Sequence, residues 1–138
     1  MISMIIGNKG SGKTKRLVEL VNAAVDASKG NVVCIEKGLK LTYDLTHKAR
    51  LVDTDEYNIS GFDTLYGFIT GMCAANYDLT EIFVDATLKI GGRNYEELAD
   101  FMAKLAPLVE KSKVEIVFTI SCDEAELPAR IFDYANKI

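Results

Sequence analysis

Short, mainly apolar runs alternate along this chain with longer stretches in which apolar residues recur every three or four positions. Residues 1–6, 32–35, 49–53, 82–84 and 115–120 are runs of the first kind. Such runs predict strands covered on both faces, as strands of parallel sheets are. Residues 14–28 are of the second kind, with Leu17, Val18, Leu20, Val21, Ala24 and Val25 on one helical face and Gly30 placed to end the helix. A second helix is predicted to open at Ser60, whose spacing to Asp63 is that of a capping box, and to present Phe62, Leu65, Phe68, Ile69, Met72 and Cys73. Gly91 and Gly92 predict a flexible corner. Asn94 with Glu97 then caps a helix carrying Leu98, Phe101, Met102, Leu105, Leu108 and Val109, with a kink or broken turn expected at Pro107. Residues 127–138 predict a last helix with Pro128 near its first turn. Residues 37–48 stay open: Leu39, Leu41, Tyr43 and Leu45 alternate as in a strand, and a loop with a helical turn fits equally.

Strands and helices in alternation predict an α/β fold, a three-layer α/β/α sandwich around a mainly parallel five-stranded sheet. No internal repeat, low-complexity segment or linker interrupts it, so a single domain over residues 1–138 is expected. Ligands of such sheets bind at the carboxyl ends of the strands. That rule directs attention to residues 7–14, Glu36, Asp53, Asp85 and residues 119–121.

Composition narrows the classes. At 49% apolar and 26% charged residues the chain is of ordinary globular make-up, and no apolar run reaches the roughly 20 residues of a membrane helix. No secretory signal is evident, so a cytoplasmic location is expected. Cys34, Cys73 and Cys122 are odd in number and widely spaced, and His47 is the only histidine, which predicts neither a disulfide framework nor a zinc site. The net charge of −4 argues against a general nucleic-acid footprint. Lys37, Lys40, Lys48 and Arg50 form a local basic cluster, read here as a solvated loop.

Candidate chemistry concentrates in Gly7-Asn8-Lys9-Gly10-Ser11-Gly12-Lys13-Thr14, which fits the phosphate-binding pattern G-x-x-x-x-G-K-[ST] at every fixed position. It also lies in the required context, between a predicted strand and a predicted helix. Glycines let successive backbone N–H groups curl around a phosphate, and the helix N-terminus adds its positive dipole end. Lys13, expected to face solvent, would reach the β- and γ-phosphates, and the Thr14 hydroxyl would hold Mg²⁺. The run Ile82-Phe83-Val84-Asp85 ends an apolar strand in a carboxylate able to orient Mg²⁺ or its water. By itself that ending is also an ordinary strand cap.

With both features present, the chain resembles the P-loop NTPases along essentially its whole length, and within them the RecA-like ATPases. The resemblance implies ATP and Mg²⁺ as ligands. It also implies a sheet order of residues 2–6, 116–120, 82–85 and 32–35, with 49–53 outermost, and a polar sensor at Thr119 or Ser121. The position after Asp85, where many relatives carry a catalytic glutamate, is Ala86. Glu36, at the end of the strand expected beside Asp85, is the candidate to position or activate water, with Asp53 as fallback; a solvated strand end is the competing reading of Glu36. Arg93 is the best candidate for an arginine finger lent to a neighbouring molecule, against a plain solvated loop residue. Three functions follow: a Mg-dependent ATPase or ATP-driven switch, a nucleotide-binding regulatory module that hydrolyses nothing, and a small nucleoside or metabolite kinase. The nucleoside triphosphate is the expected partner. A homo-oligomer or protein partner stays open, and neither nucleic acid nor membrane is expected.

Overall fold

A computed structural model describes residues 1–138. Its strands are β1 (Ile2–Gly7), β2 (Asn31–Glu36), β3 (Arg50–Asp53), β4 (Leu79–Val84), β5 (Glu115–Ser121) and β6 (Asn136–Lys137). They form one sheet in the order β3-β2-β4-β5-β1-β6, and every pairing is parallel. The helices are α1 (Lys13–Ala27), α2 (Phe62–Ala75), α3 (Thr87–Gly91) and α4 (Tyr95–Ser112). No helix is long and apolar enough to cross a membrane.

Successive strand residues point to opposite faces, and each face carries its own apolar cluster. Ile5, Val32, Cys34 and Phe83 pack with Leu17 and Val21 of α1 on one side. Met4, Val33, Ile35, Ile82, Ile116 and Phe118 pack with Leu65 and Ile69 of α2 and Leu98, Met102 and Leu105 of α4 on the other. Burying each large side chain stabilises the fold by roughly 1.5–3 kcal/mol. Helices therefore cover both faces, which is why the strands read as continuous apolar runs.

The order of the five long strands is the expected one, but the sheet has six. Residues 127–138 do not form the predicted helix. They make a 3₁₀ turn at Ala129–Asp133 and then β6, which pairs with β1 through Ser3–Asn136 and Met4–Lys137. Leu127, Ile131 and Ala135 are buried, and their spacing of four imitates a helix. The open edge of β1 decides against one, because its unpaired backbone groups find partners in the returning chain, Ile138 N donating to Met4 O at 2.9 Å.

Three local expectations also change. No capping box forms at Ser60: Gly61, at φ 89°, is the N-cap of α2 and has no side-chain cap, and its N–H donates to Ile90 O at 2.8 Å. Pro107 lies inside α4, which runs unbroken from Tyr95 to Ser112 with Leu105 and Val109 buried on either side, so no broken turn forms there. The corner at residues 91–92 is the end of α3, where a Cβ on Gly91 would run into the Phe62 ring. The Asn94 cap does form, its side chain accepting from Glu97 N at 3.0 Å. Residues 37–48 adopt turns, not a strand: Leu41 and Leu45 face inward and Leu39 and Tyr43 outward.

Candidate functional site

The carboxyl ends of β1, β5, β4 and β2 open into one cleft of about 880 Å³, within the roughly 300–1,000 Å³ of small-molecule pockets. The glycine-rich turn between β1 and α1 forms one wall. Gly10 and Gly12 sit at φ 86° and 85°, a left-handed backbone that costs a residue with a Cβ roughly 1–2 kcal/mol. A Cβ on Gly7 would lie 2.5 Å from Ser11 Oγ. No side chain caps α1, so its first-turn N–H groups are left for a ligand or water where Gly12, Lys13 and Thr14 line the cleft.

Lys13 is not solvent-facing as expected. It is 8% exposed, and its ammonium bridges the turn, donating to Asn8 O at 3.0 Å and Ser11 Oγ at 3.3 Å. Two oxygens of the loop itself thus accept from the ammonium.

Thr14 and Asp85, 71 residues apart, meet in this cleft: Thr14 Oγ1 donates to the two carboxylate oxygens of Asp85 at 3.3 and 3.2 Å. Asp85 is 7% exposed, and the fully buried Thr119 hydroxyl donates to its Oδ1 at 2.8 Å. The same hydroxyl accepts from Ala86 N at 2.8 Å. Ala86 has φ 52° and ψ 50°, left-handed for a residue with a Cβ, and Thr119 holds it there. Of the two sensor candidates, only Thr119 touches Asp85; Ser121 offers its carbonyl to Arg93 at 2.9 Å. Arg93 lines the cleft of its own chain.

Glu36 stands on the same sheet edge as Asp85, as the strand order required, and lines the cleft. Its Oε2 accepts from Leu41 N at 3.2 Å, and the residue is 4% exposed, not a solvated strand end. Burial pushes its carboxyl above the usual carboxylate range, the Asp85 charge adds to this, and the N–H groups of Leu41 and Lys40 partly offset it. Asp53, the fallback, is in register with Glu36 but does not line the cleft; its carboxylate accepts from Gly38 N at 2.7 Å and Asp55 N at 2.9 Å and serves that turn.

The donor set fits a hard divalent cation completed by water and anionic ligand oxygens, since Mg²⁺ is usually held by only one or two carboxylates. Thr14 and Asp85 would be its protein ligands.

Sequence reasoning missed the charge of the cleft. Lys9, Lys13, Lys15, Lys37, Lys40, Lys89 and Arg93 line it, against only Glu36, Asp85 and Glu126. Of 16 basic and 20 acidic residues in the chain, nine basic and seventeen acidic lie elsewhere, so a net-negative protein concentrates positive charge in one cleft. The strand-end rule was the available signal: Lys37, Lys40 and Lys89 all closely follow strands that end here. No protein-family model matches the chain, and no match is found among curated proteins.

Proposed function

We propose that this protein is a Mg²⁺-dependent ATP-binding protein with a P-loop NTPase fold of the RecA-like kind, acting as an ATPase or ATP-driven switch. The observation that carries the reading is the meeting of Lys13, Thr14 and Asp85 beside a left-handed glycine turn in a cleft rich in positive charge. The placement of β5 between β1 and β4 supports it.

On this reading the N–H groups of residues 7–14 and the Lys13 ammonium hold the β- and γ-phosphates, Lys13 exchanging its contacts with Asn8 and Ser11 for phosphate oxygens. Mg²⁺, when bound, neutralises charge on those phosphates. Thr119 keeps the Asp85 carboxylate turned toward Thr14. Glu36 is the carboxylate available to orient an attacking water and take its proton, and burial raises its affinity for that proton. ATP in preference to other nucleotides rests on the sequence resemblance.

One feature favours a second reading, a nucleotide-binding regulatory module without hydrolysis. Ala86 supplies no carboxylate after Asp85, and the backbone N–H of Ala86 is already committed to Thr119.

A melting-temperature panel of Mg-nucleotides tests binding: a ligand at 100 times its Kd adds about 2.7 kcal/mol. The Lys13→Ala variant should fold and lose that shift, and a full shift in the variant would refute the assignment of the loop. Steady-state phosphate release then separates ATPase from module.

A further inference from the structure

Two segments from different parts of the chain meet at the β5 end of the cleft. One is the corner at residues 91–95, between α3 and α4; the other is the turn at residues 121–126, which follows β5. Each is fixed locally. Gly91 packs against the Phe62 ring, and the Asn94 side chain accepts from Glu97 N at 3.0 Å. Asp123 accepts from Ala125 N at 3.0 Å, and Leu127 is buried immediately after the turn.

Two side-chain contacts join the segments. The Arg93 guanidinium donates to Ser121 O at 2.9 Å, and the Tyr95 hydroxyl donates to Glu126 Oε2 at 3.0 Å. Arg93 and Glu126 line the cleft; Tyr95 does not, and its ring packs against the core. The Tyr95 hydroxyl also meets Arg93. Burial pushes it above the usual tyrosine range, the Glu126 carboxylate adds to this, and the Arg93 guanidinium partly offsets it. The hydroxyl therefore stays protonated at neutral pH, donates to Glu126 and keeps lone pairs to accept from Arg93.

Ser121 is in register with Gly7, the first residue of the glycine-rich turn. Neighbouring strands lie about 4.8 Å apart, so a guanidinium held on the Ser121 carbonyl stands at the edge of that turn. Cys122, the next residue, lies within reach of both the Arg93 and the Lys13 charge. A guanidinium has more N–H donors than Ser121 and Tyr95 use, and the remainder can grip an anion bidentately. An arginine already held in place loses less side-chain freedom on binding than one that starts free in solvent.

We propose that Tyr95 and Glu126 are positioning residues that hold Arg93 against Ser121, with its remaining N–H groups turned to the phosphates of a nucleotide bound in the same chain. The phosphate contact rests on the nucleotide reading above, while the hold on Arg93 does not. A plain staple between α4 and the turn at residues 121–126 is the competing account, and it makes the Tyr95–Glu126 bond independent of Arg93.

The test is the ¹⁵N spectrum of the arginine Nε–H groups, to which only four residues contribute. Arg93→Ala assigns one signal, and Arg130, paired with Glu96 and Asp100, is the internal control. Tyr95→Phe keeps the ring on the core, and Glu126→Ala removes the carboxylate from the other end. Both variants should move the Arg93 signal to the position of a freely rotating arginine and leave that of Arg130 in place. Glu126→Gln, which keeps an oxygen for the hydroxyl, should restore most of the wild-type signal. Mg²⁺ with a non-hydrolysable ATP analogue should shift the wild-type Arg93 signal. Analogue affinity should fall about tenfold in Arg93→Ala, the weight of one charge-assisted hydrogen bond, and about threefold in Tyr95→Phe. The Arg93→Ala, Tyr95→Phe double variant should bind as Arg93→Ala does, because Tyr95 acts only through Arg93. An Arg93 signal that stays in place in either variant, an analogue that binds without shifting it, or losses that multiply in the double variant overturns the proposal. If the wild type binds no analogue, the nucleotide reading fails and the phosphate contact with it. The Arg93 signal in the two variants then still decides whether Tyr95 and Glu126 position the guanidinium.

Discussion

Replacing Thr119 by valine removes one oxygen atom and almost no volume, and two groups of the cleft, the Asp85 carboxylate and the Ala86 amide, depend on that oxygen. The hydroxyl is buried at 1% exposure, donates to Asp85 Oδ1 and accepts from Ala86 N, both at 2.8 Å. Valine leaves the amide of Ala86 without its partner, which costs about 1–3 kcal/mol for a buried donor, and takes from Asp85 a hydrogen bond of the charged class, about 1.5–3 kcal/mol. Asp85 keeps the two longer contacts from Thr14, and Ala86 can relax out of its left-handed conformation, so the two losses do not add in full. The expected destabilisation is about 2–4 kcal/mol. Thr119→Ser keeps the hydroxyl and loses one methyl, about 1 kcal/mol. Urea unfolding of both variants measures this, read from the midpoint shift at an unchanged slope. Equal destabilisation of the two variants, or a loss below about 1 kcal/mol for valine, would refute the bridging role of the hydroxyl.

Asp85→Asn should weaken nucleotide binding strongly in Mg²⁺ and little in EDTA if, as proposed, the carboxylate acts through the metal; equal losses under both conditions would reduce Asp85 to a strand cap. Glu36→Gln keeps an oxygen to accept from Leu41 and removes the proton-binding group. Because the folded-state value of Glu36 is raised, its contribution to stability is complete below the ordinary carboxylate value of about 4.3 and is lost as pH rises through the raised value. The variant should therefore gain on the wild type as pH rises from 4 to 7 in urea midpoints, and a flat difference would contradict the burial argument. The same variant should bind ATP and lose turnover. Arg93→Ala should slow any turnover by about 10³-fold, the low end for a transition-state arginine, with a rate per molecule independent of protein concentration. A concentration-dependent wild-type rate would instead assign the completing cation to a neighbouring molecule.

The sequence alone determined what short stretches dictate. Gly10 and Gly12 need a left-handed backbone that any neighbouring residues would allow, so the loop at residues 7–14 was legible without a fold. The strands were legible because burial on both faces removes polar residues from them, and Asp85 because it breaks such a run. The long-strand order came from the resemblance, and the edge shared by Glu36 and Asp85 came with it.

Tertiary structure decided whatever depends on residues far apart in the chain. Thr119 and Ser121 are both polar positions at the end of β5 and equal as text; the pairing of β4 with β5 puts only Thr119 on Asp85. The final segment shows helical spacing at Leu127, Ile131 and Ala135, and the open edge of β1, more than a hundred residues earlier, draws it into the sheet. Lys40 was legible only as part of a basic loop, Arg93 only as a candidate finger and Lys89 not at all, and the net charge of −4 gives no sign of a basic cleft. Charge acts through space, at the few ångströms that separate neighbouring strand ends, so only the sheet order could assemble these residues into one positive cleft.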